Sequence, residues 1–148
     1  MDLQVKQAAR GSVEKYKARF VARGFSQIKG IDYEETFAPI TRYSSIQTIL
    51  PLSAQMGWHI HQIDVKTTFL NVIIEEEVYI EKPEGFEIFS SESHVRRIKK
   101  ALYGLKQAPC AWYTRTNSYF TGLGFTKSEV DANLYQIVVE GKCWLEGS

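Results

Sequence analysis

The segment HQIDVKTTFLN (residues 61–71) decides how this chain is read. With the preceding Trp58, His59 and Ile60 it starts as an alternating run over residues 58–65, the period of two that marks a β-strand. A turn-like Lys66-Thr67-Thr68 and the pair Phe69-Leu70 follow. Asp64 stands between Ile63 and Val65, just before that turn. A carboxylate in a half-apolar strand is costly to bury unless a partner compensates it. The question it raises is whether the rest of the sequence supplies that partner.

Outward from this segment, residues 12–25 (SVEKYKARFVARGF) alternate basic with apolar or aromatic side chains. Lys15, Lys17, Arg19 and Arg23 largely fall on one side of a strand, with Tyr16, Ala18, Phe20 and Ala22 on the other. Gly24 and Lys29-Gly30 mark turns, and GIDYEETFAPI reads as a loop because Pro39 disfavours helix at Ala38. Ser44 and Gln47 form a capping box that opens a helix over residues 44–56, with Ile46, Ile49, Leu50 and Ser53 on one face and Gly57 as its stop. Pro51 in that helix removes a hydrogen bond, at about 3 kcal/mol, and predicts a kink or a weakened helix. VYIEKP reads as a short strand ended by Pro83, and VRRIKKAL fits strand or helix. A second helix is predicted over 108–122, with Pro109 near its first turn and Gly122 and Gly124 at its end. NLYQIVV is strand-like, EGK reads as a hairpin turn, and the closing CWLEGS is not read as a returning strand. Residues 133–139 are thus expected to be a bare sheet edge, prone to aggregation.

The 148 residues carry 18 Lys and Arg against 17 Asp and Glu, with 44% hydrophobic and 24% charged residues, ordinary for one globular domain or a fragment. The near-neutral balance hides segregation. Seven basic residues lie between Lys6 and Lys29 against Glu14 alone, and seven acidic residues lie between Glu75 and Glu92 against Lys82 alone. Arg96, Arg97, Lys99, Lys100 and Lys106 then follow without an acidic neighbour in sequence. Each block alone is a solvated face; two basic blocks around Asp64 could line a cleft for a polyanion. No apolar run approaches a membrane span, and the N-terminus is too polar for a secretory signal, so an intracellular protein, cytoplasmic or nuclear, is expected. Cys110 and Cys143 lack metal-ligand spacing. His59 and His61 share a strand face but have no third ligand in view.

The strings KYKARFVARGFSQ, IDYEETFAPITRYSSIQTIL, HQIDVKTTFLN, EEEVYIEKPEGF and RIKKALYGLKQAPCAWY, in this order, resemble the reverse transcriptase of copia-type LTR retrotransposons. The similarity runs from about Gly11 to Lys142. It implies an α+β fold: the fingers (residues 1–40 and 72–107) and part of the palm (41–71 and 108–142) of a right-hand polymerase, with an antiparallel sheet, packed helices and an incomplete palm. Residues 143–148 form a divergent tail. The family's reaction is attack of a primer 3′-oxygen on the α-phosphate of a deoxynucleotide, with RNA or DNA template-primer as partner. Two Mg²⁺ ions about 3.5–4 Å apart serve it.

Asp64 matches the first catalytic, metal-binding aspartate, with the Val65 carbonyl as a backbone ligand. The other two carboxylates belong, in the family, to a Tyr-Val-Asp-Asp hairpin that this sequence does not contain. Lys17 and Arg19 match cations that meet the triphosphate, Phe69 matches the aromatic under the incoming sugar, and Gln107 matches a nucleotide contact. Lys15, Arg23, Arg96, Arg97, Lys99, Lys100 and Lys106 are the expected nucleic-acid contacts. Val72 replaces a usual glycine, Pro51 a helix-compatible residue and Cys110 a usual arginine, and each is expected to weaken folding or binding. The implied function is an RNA-directed DNA polymerase, here a truncated fragment expected to be inactive. The alternative is a non-catalytic nucleic-acid or nucleotide-binding remnant.

Overall fold

A computed structural model describes residues 2–81, 95–139 and 142–147. Pro83 as a strand terminator, the acidic run beyond Glu81 and the turn at Glu140 and Gly141 lie outside the described residues. The chain has mixed α/β character and divides into two compact units, Met1–Thr36 with Thr67–Trp112, and Phe37–Lys66 with Tyr113–Ser148.

In the first unit, β1 (Asp2–Gln7) and β2 (Val13–Arg19) form an antiparallel ribbon. The strand predicted within residues 12–25 runs from Val13 and ends at Arg19, since beyond it the chain turns to a different neighbour. Val21 bridges Tyr103 in parallel, and the Ala22 N–H donates to the Tyr103 carbonyl at 2.7 Å. Two glycines make this approach possible. A Cβ on Gly24 would run into the Gly104 carbonyl oxygen, and one on Gly104 into that of Ala22. Gly104 also holds φ +90°, a region open to glycine and strained for other residues.

The core of this unit is Val72, Ile74, Val78, Ala101, Leu105 and Ala108. Residues 72–80 run antiparallel to 96–101. The Ala101 N–H donates to Val72 O (2.9 Å) and Ile98 N–H to Val78 O (3.0 Å), and β3 (Tyr79–Ile80) pairs with β4 (Arg96–Arg97). Alternation sorts the side chains: Ile74 is 6% exposed and its neighbour Ile73 is 72% exposed. The ambiguous VRRIKKAL run is thus strand where it pairs. Val72, expected to weaken folding in place of a glycine, is 4% exposed and holds an ordinary φ of −110°. Its isopropyl group fills the core and no glycine conformation is required, so that expectation is corrected.

In the second unit, α1 (Tyr43–Met56) closes on Gly57, whose φ of +67° gives the expected left-handed stop. The helix continues through Pro51. The capping box is not formed: the N-cap is Arg42 and no side chain of the helix start caps it. A remote carboxylate does that work. Asp131 Oδ2 accepts from the Arg42 backbone N–H (3.2 Å) and from Ser45 Oγ (2.6 Å), and Asp131 Oδ1 accepts from Asn133 N–H (3.0 Å).

Helix α2 (Ala108–Gly122) matches its predicted range, and Gly124 follows at φ +89°. Thr126–Lys127 (β5), Leu134–Val139 (β6) and Lys142–Gly147 (β7) then form a three-stranded antiparallel sheet in the order β5-β6-β7. This overturns the bare edge predicted at 133–139. β7 pairs with β6 along its whole length, from Leu134 opposite Gly147 to Val139 opposite Lys142. Ladder hydrogen bonds come from backbone groups that any non-proline residue supplies, whatever the side chains of the tail. Tyr135 is fully buried in this unit, with the Phe120 ring 5.0 Å away and its hydroxyl donating to Asn117 Oδ1 (3.2 Å). Burial, and then Tyr113, push its phenol up to about 12.

The strand predicted over 58–65 is not formed. These residues lie in no strand and are all exposed. Alternation gives a segment strand-compatible side chains, but a strand exists only where another backbone accepts its ladder.

Candidate functional site

Asp64 sits in that unladdered segment of the second unit, exposed together with Ile63 (75%) and Val65 (44%). The cost of burying it, which made its partner the central question, is therefore not incurred. His59 and His61 are exposed in the same segment. Among the described residues no three His, Cys, Asp or Glu side chains converge as a metal site would require. One carboxylate and a backbone carbonyl are too few anionic donors to offset two adjacent Mg²⁺ ions. By themselves these two groups do not make up a two-Mg²⁺ site.

The other predicted residues belong to the first unit. Lys15, Lys17 and Arg19 recur at every second position of β2 and share one face of the ribbon. Cross-strand register adds Lys6, opposite Lys15, and Gln4, opposite Lys17. Arg19 Nη1 donates to Gln4 Oε1 at 3.2 Å. A lysine directly opposite a lysine is unfavourable unless an anion lies over the pair.

The second basic block is not unopposed in space. The antiparallel run sets residues 75–77 beside it, and Arg97 Nη1 lies 2.9 Å from Glu77 Oε1, whose other oxygen accepts from Tyr79 OH at 3.4 Å. Arg96, Lys99 and Lys100 are exposed, as is Arg23, the N-cap of a short helical turn at Gly24–Ser26.

Phe69, half-buried, packs against the core with its ring edge-on to Tyr103 (centroids 4.9 Å, 71°). Gln107 is 2% exposed. Its Oε1 accepts from Gln27 Nε2 (3.0 Å) and its Nε2 donates to the Asp32 carbonyl (3.1 Å). Lys106 is tied into the same cluster: its N–H donates to Gln27 Oε1 (2.8 Å), and its Nζ donates to Gln27 O (3.2 Å) and Tyr33 OH (3.3 Å). The ammonium also lies 5.0 Å from the Tyr33 ring centroid. Nearby, burial and then the Glu35 and Glu76 carboxylates raise the Cys110 thiol, keeping it protonated and unreactive near neutrality.

Sequence reasoning missed Gln27 and Asp131. Asp131-Ala132-Asn133 carries a local turn signal, but the distant bond to α1 has none. Nothing in GFSQ distinguishes Gln27 from a surface glutamine.

The model of the family described as reverse transcriptase (RNA-dependent DNA polymerase) matches residues 3–144. The chain belongs to this family, as a reverse transcriptase domain of copia-type Pol polyproteins. It is 46% identical, over 82% of its length, to the retrovirus-related Pol polyprotein from transposon TNT 1-94 of Nicotiana tabacum. To the corresponding polyprotein from transposon RE1 of Arabidopsis thaliana it is 41% identical over 89% of its length. To the transposon Ty1-H Gag-Pol polyprotein of Saccharomyces cerevisiae it is 34% identical over 70%. The chain spans 9% of the length of each plant relative and 6% of the yeast one. No solved structure matches it. Among the described residues, no helix is long and apolar enough to cross a membrane.

Proposed function

We propose that these 148 residues are the fingers and part of the palm of an RNA-directed DNA polymerase, and that by themselves they bind but do not polymerise. The observation that carries this is the family match over residues 3–144, in which we take Asp64 as the one catalytic carboxylate. The division of the chain into two compact units supports the fingers and palm reading. In it, Lys17 and Arg19 meet the triphosphate, as a point charge and a planar fork suited to phosphate. Phe69 lies under the sugar, where a bulky ring disfavours a 2′-hydroxyl, and Gln107 offers an amide N–H. Lys15, Arg23, Arg96, Lys99, Lys100 and Lys106 contact template-primer; Arg97, held by Glu77, contributes less. Asp64 with the Val65 carbonyl is one part of a Mg²⁺ site.

A second reading, a nucleic-acid or nucleotide binder without catalysis, is favoured by the Lys6–Lys15 pairing on the ribbon. Primer extension on an RNA template with deoxynucleotides separates the two. The 148-residue chain should give no product. A chain continued past Lys142 with the family's Tyr-Val-Asp-Asp hairpin should recover extension, and Asp64→Asn should abolish it by removing charge while keeping shape. Extension by the 148-residue chain itself, lost on Asp64→Asn, would overturn the proposal.

A further inference from the structure

We infer that Gln27 is a positioning residue: it fixes which end of the Gln107 amide faces a nucleotide. The inference rests on the reading above in taking Gln107 as a nucleotide contact. The assignment follows from a relay with unambiguous ends. At one end stands the Lys106 backbone N–H, which can only donate, so Gln27 must turn its Oε1 to it (2.8 Å). Gln27 Nε2 is then the group that meets Gln107, which must answer with Oε1 (3.0 Å). Gln107 Nε2 is left for the Asp32 carbonyl (3.1 Å), which can only accept. Neither amide can flip without setting donor against donor or acceptor against acceptor. Because Gln107 is 2% exposed, a misaligned group there has no water to turn to. Among the described residues the second N–H of Gln107 Nε2, on the end that faces Asp32, has no partner, so a nucleotide that reaches Gln107 is met by a donor from that end.

Gln27→Glu tests this with almost no change in shape. When ionised, the introduced carboxylate sets an acceptor against Gln107 Oε1, and flipping Gln107 only moves the clash to Asp32 O. When protonated, the introduced carboxyl donates to Gln107 Oε1 and rebuilds the relay. Among the described residues, the charged groups bonded into this cluster are Lys106, whose ammonium bonds Gln27 O, and Asp32, whose carboxylate accepts from Ile28 N–H. Gln27→Met removes the relay without adding a titratable group. The readout is the side-chain amide signals of Gln107 in the isotope-labelled full chain, with dATP titrated as probe. In Gln27→Glu these signals should move away from wild type near neutrality and return below the ordinary glutamate pKa of about 4.3. In Gln27→Met they should move at both pH values, and in the exposed control Gln62→Glu at neither. Affinity for dATP should fall several-fold in Gln27→Glu near neutrality and recover in acid. Gln107 signals that match wild type at every pH in both Gln27 variants overturn the inference. Wild-type chain that binds no dATP refutes the nucleotide role of Gln107, while the amide signals still decide the positioning by Gln27.

Discussion

Asp131 shows how one side chain can hold an element far from it in sequence. It is 2% exposed and accepts from Arg42 N–H, Ser45 Oγ and Asn133 N–H. The Ser45 hydrogen bond, then that of Asn133, hold its carboxyl below the ordinary range, against the effect of burial. A depressed folded pKa means the stabilisation is fully present above the unfolded value of about 3.9 and is lost as pH falls through the folded one. Asp131→Ala should therefore cost about 1–3 kcal/mol near neutrality, with the gap to wild type narrowing in acid, as urea melts over a pH series would show. A gap that stays constant would mean the carboxylate is not what these groups need. Gly104 makes a different kind of demand. Its φ of +90° and its contact with the Ala22 carbonyl leave no room for a methyl group. Gly104→Ala should lower the denaturant midpoint by the equivalent of about 1–3 kcal/mol or more, whereas Gly30→Ala, with open space around its Cβ, should carry only its backbone strain.

The elements divide into those that local sequence specifies and those that need a neighbour. Helix α2 forms at its predicted range and α1 within a residue of it, because periodicity, Pro109 and the glycine stops act within one turn. Residues 58–65 alternate as well as any strand in the chain, yet they form none. β7 shows the converse, pairing in full although its sequence is not read as a strand. In α1, Pro51 stays inside the helix although its ring removes one backbone hydrogen bond. Pro51→Ala should thus raise stability, by up to about 3 kcal/mol, read as a higher thermal midpoint. An unchanged or lowered midpoint would show that the helix already accommodates the ring.

At the scale of the molecule, linear charge blocks and spatial charge patches differ. The basic block at 96–100 lies beside residues 75–77 and loses Arg97 to Glu77, whereas the ribbon gathers Lys6, Lys15, Lys17 and Arg19 on one face. Each phosphate contact contributes about −0.7 to the salt slope of single-strand binding. Replacing Lys15, Lys17 and Arg19 together by alanine should flatten the slope by about 2, measured by anisotropy of a labelled oligonucleotide. Arg97→Ala should change it little. Equal effects from both sets would mean that the ribbon face is not the nucleic-acid contact.

By itself the sequence determined the family, both helices and the β2 and β6 strands, since each depends on residue identity or on short-range periodicity. Only the tertiary structure decided that β6 lies between two strands, that Asp64 is exposed rather than buried, that Gln107 is locked by Gln27 and that Asp131 caps α1. The physical reason is shared. Strand pairing, desolvation and capping of a helix by a remote carboxylate are satisfied by partners that can lie dozens of positions away, and such a partner leaves no periodic trace in the chain.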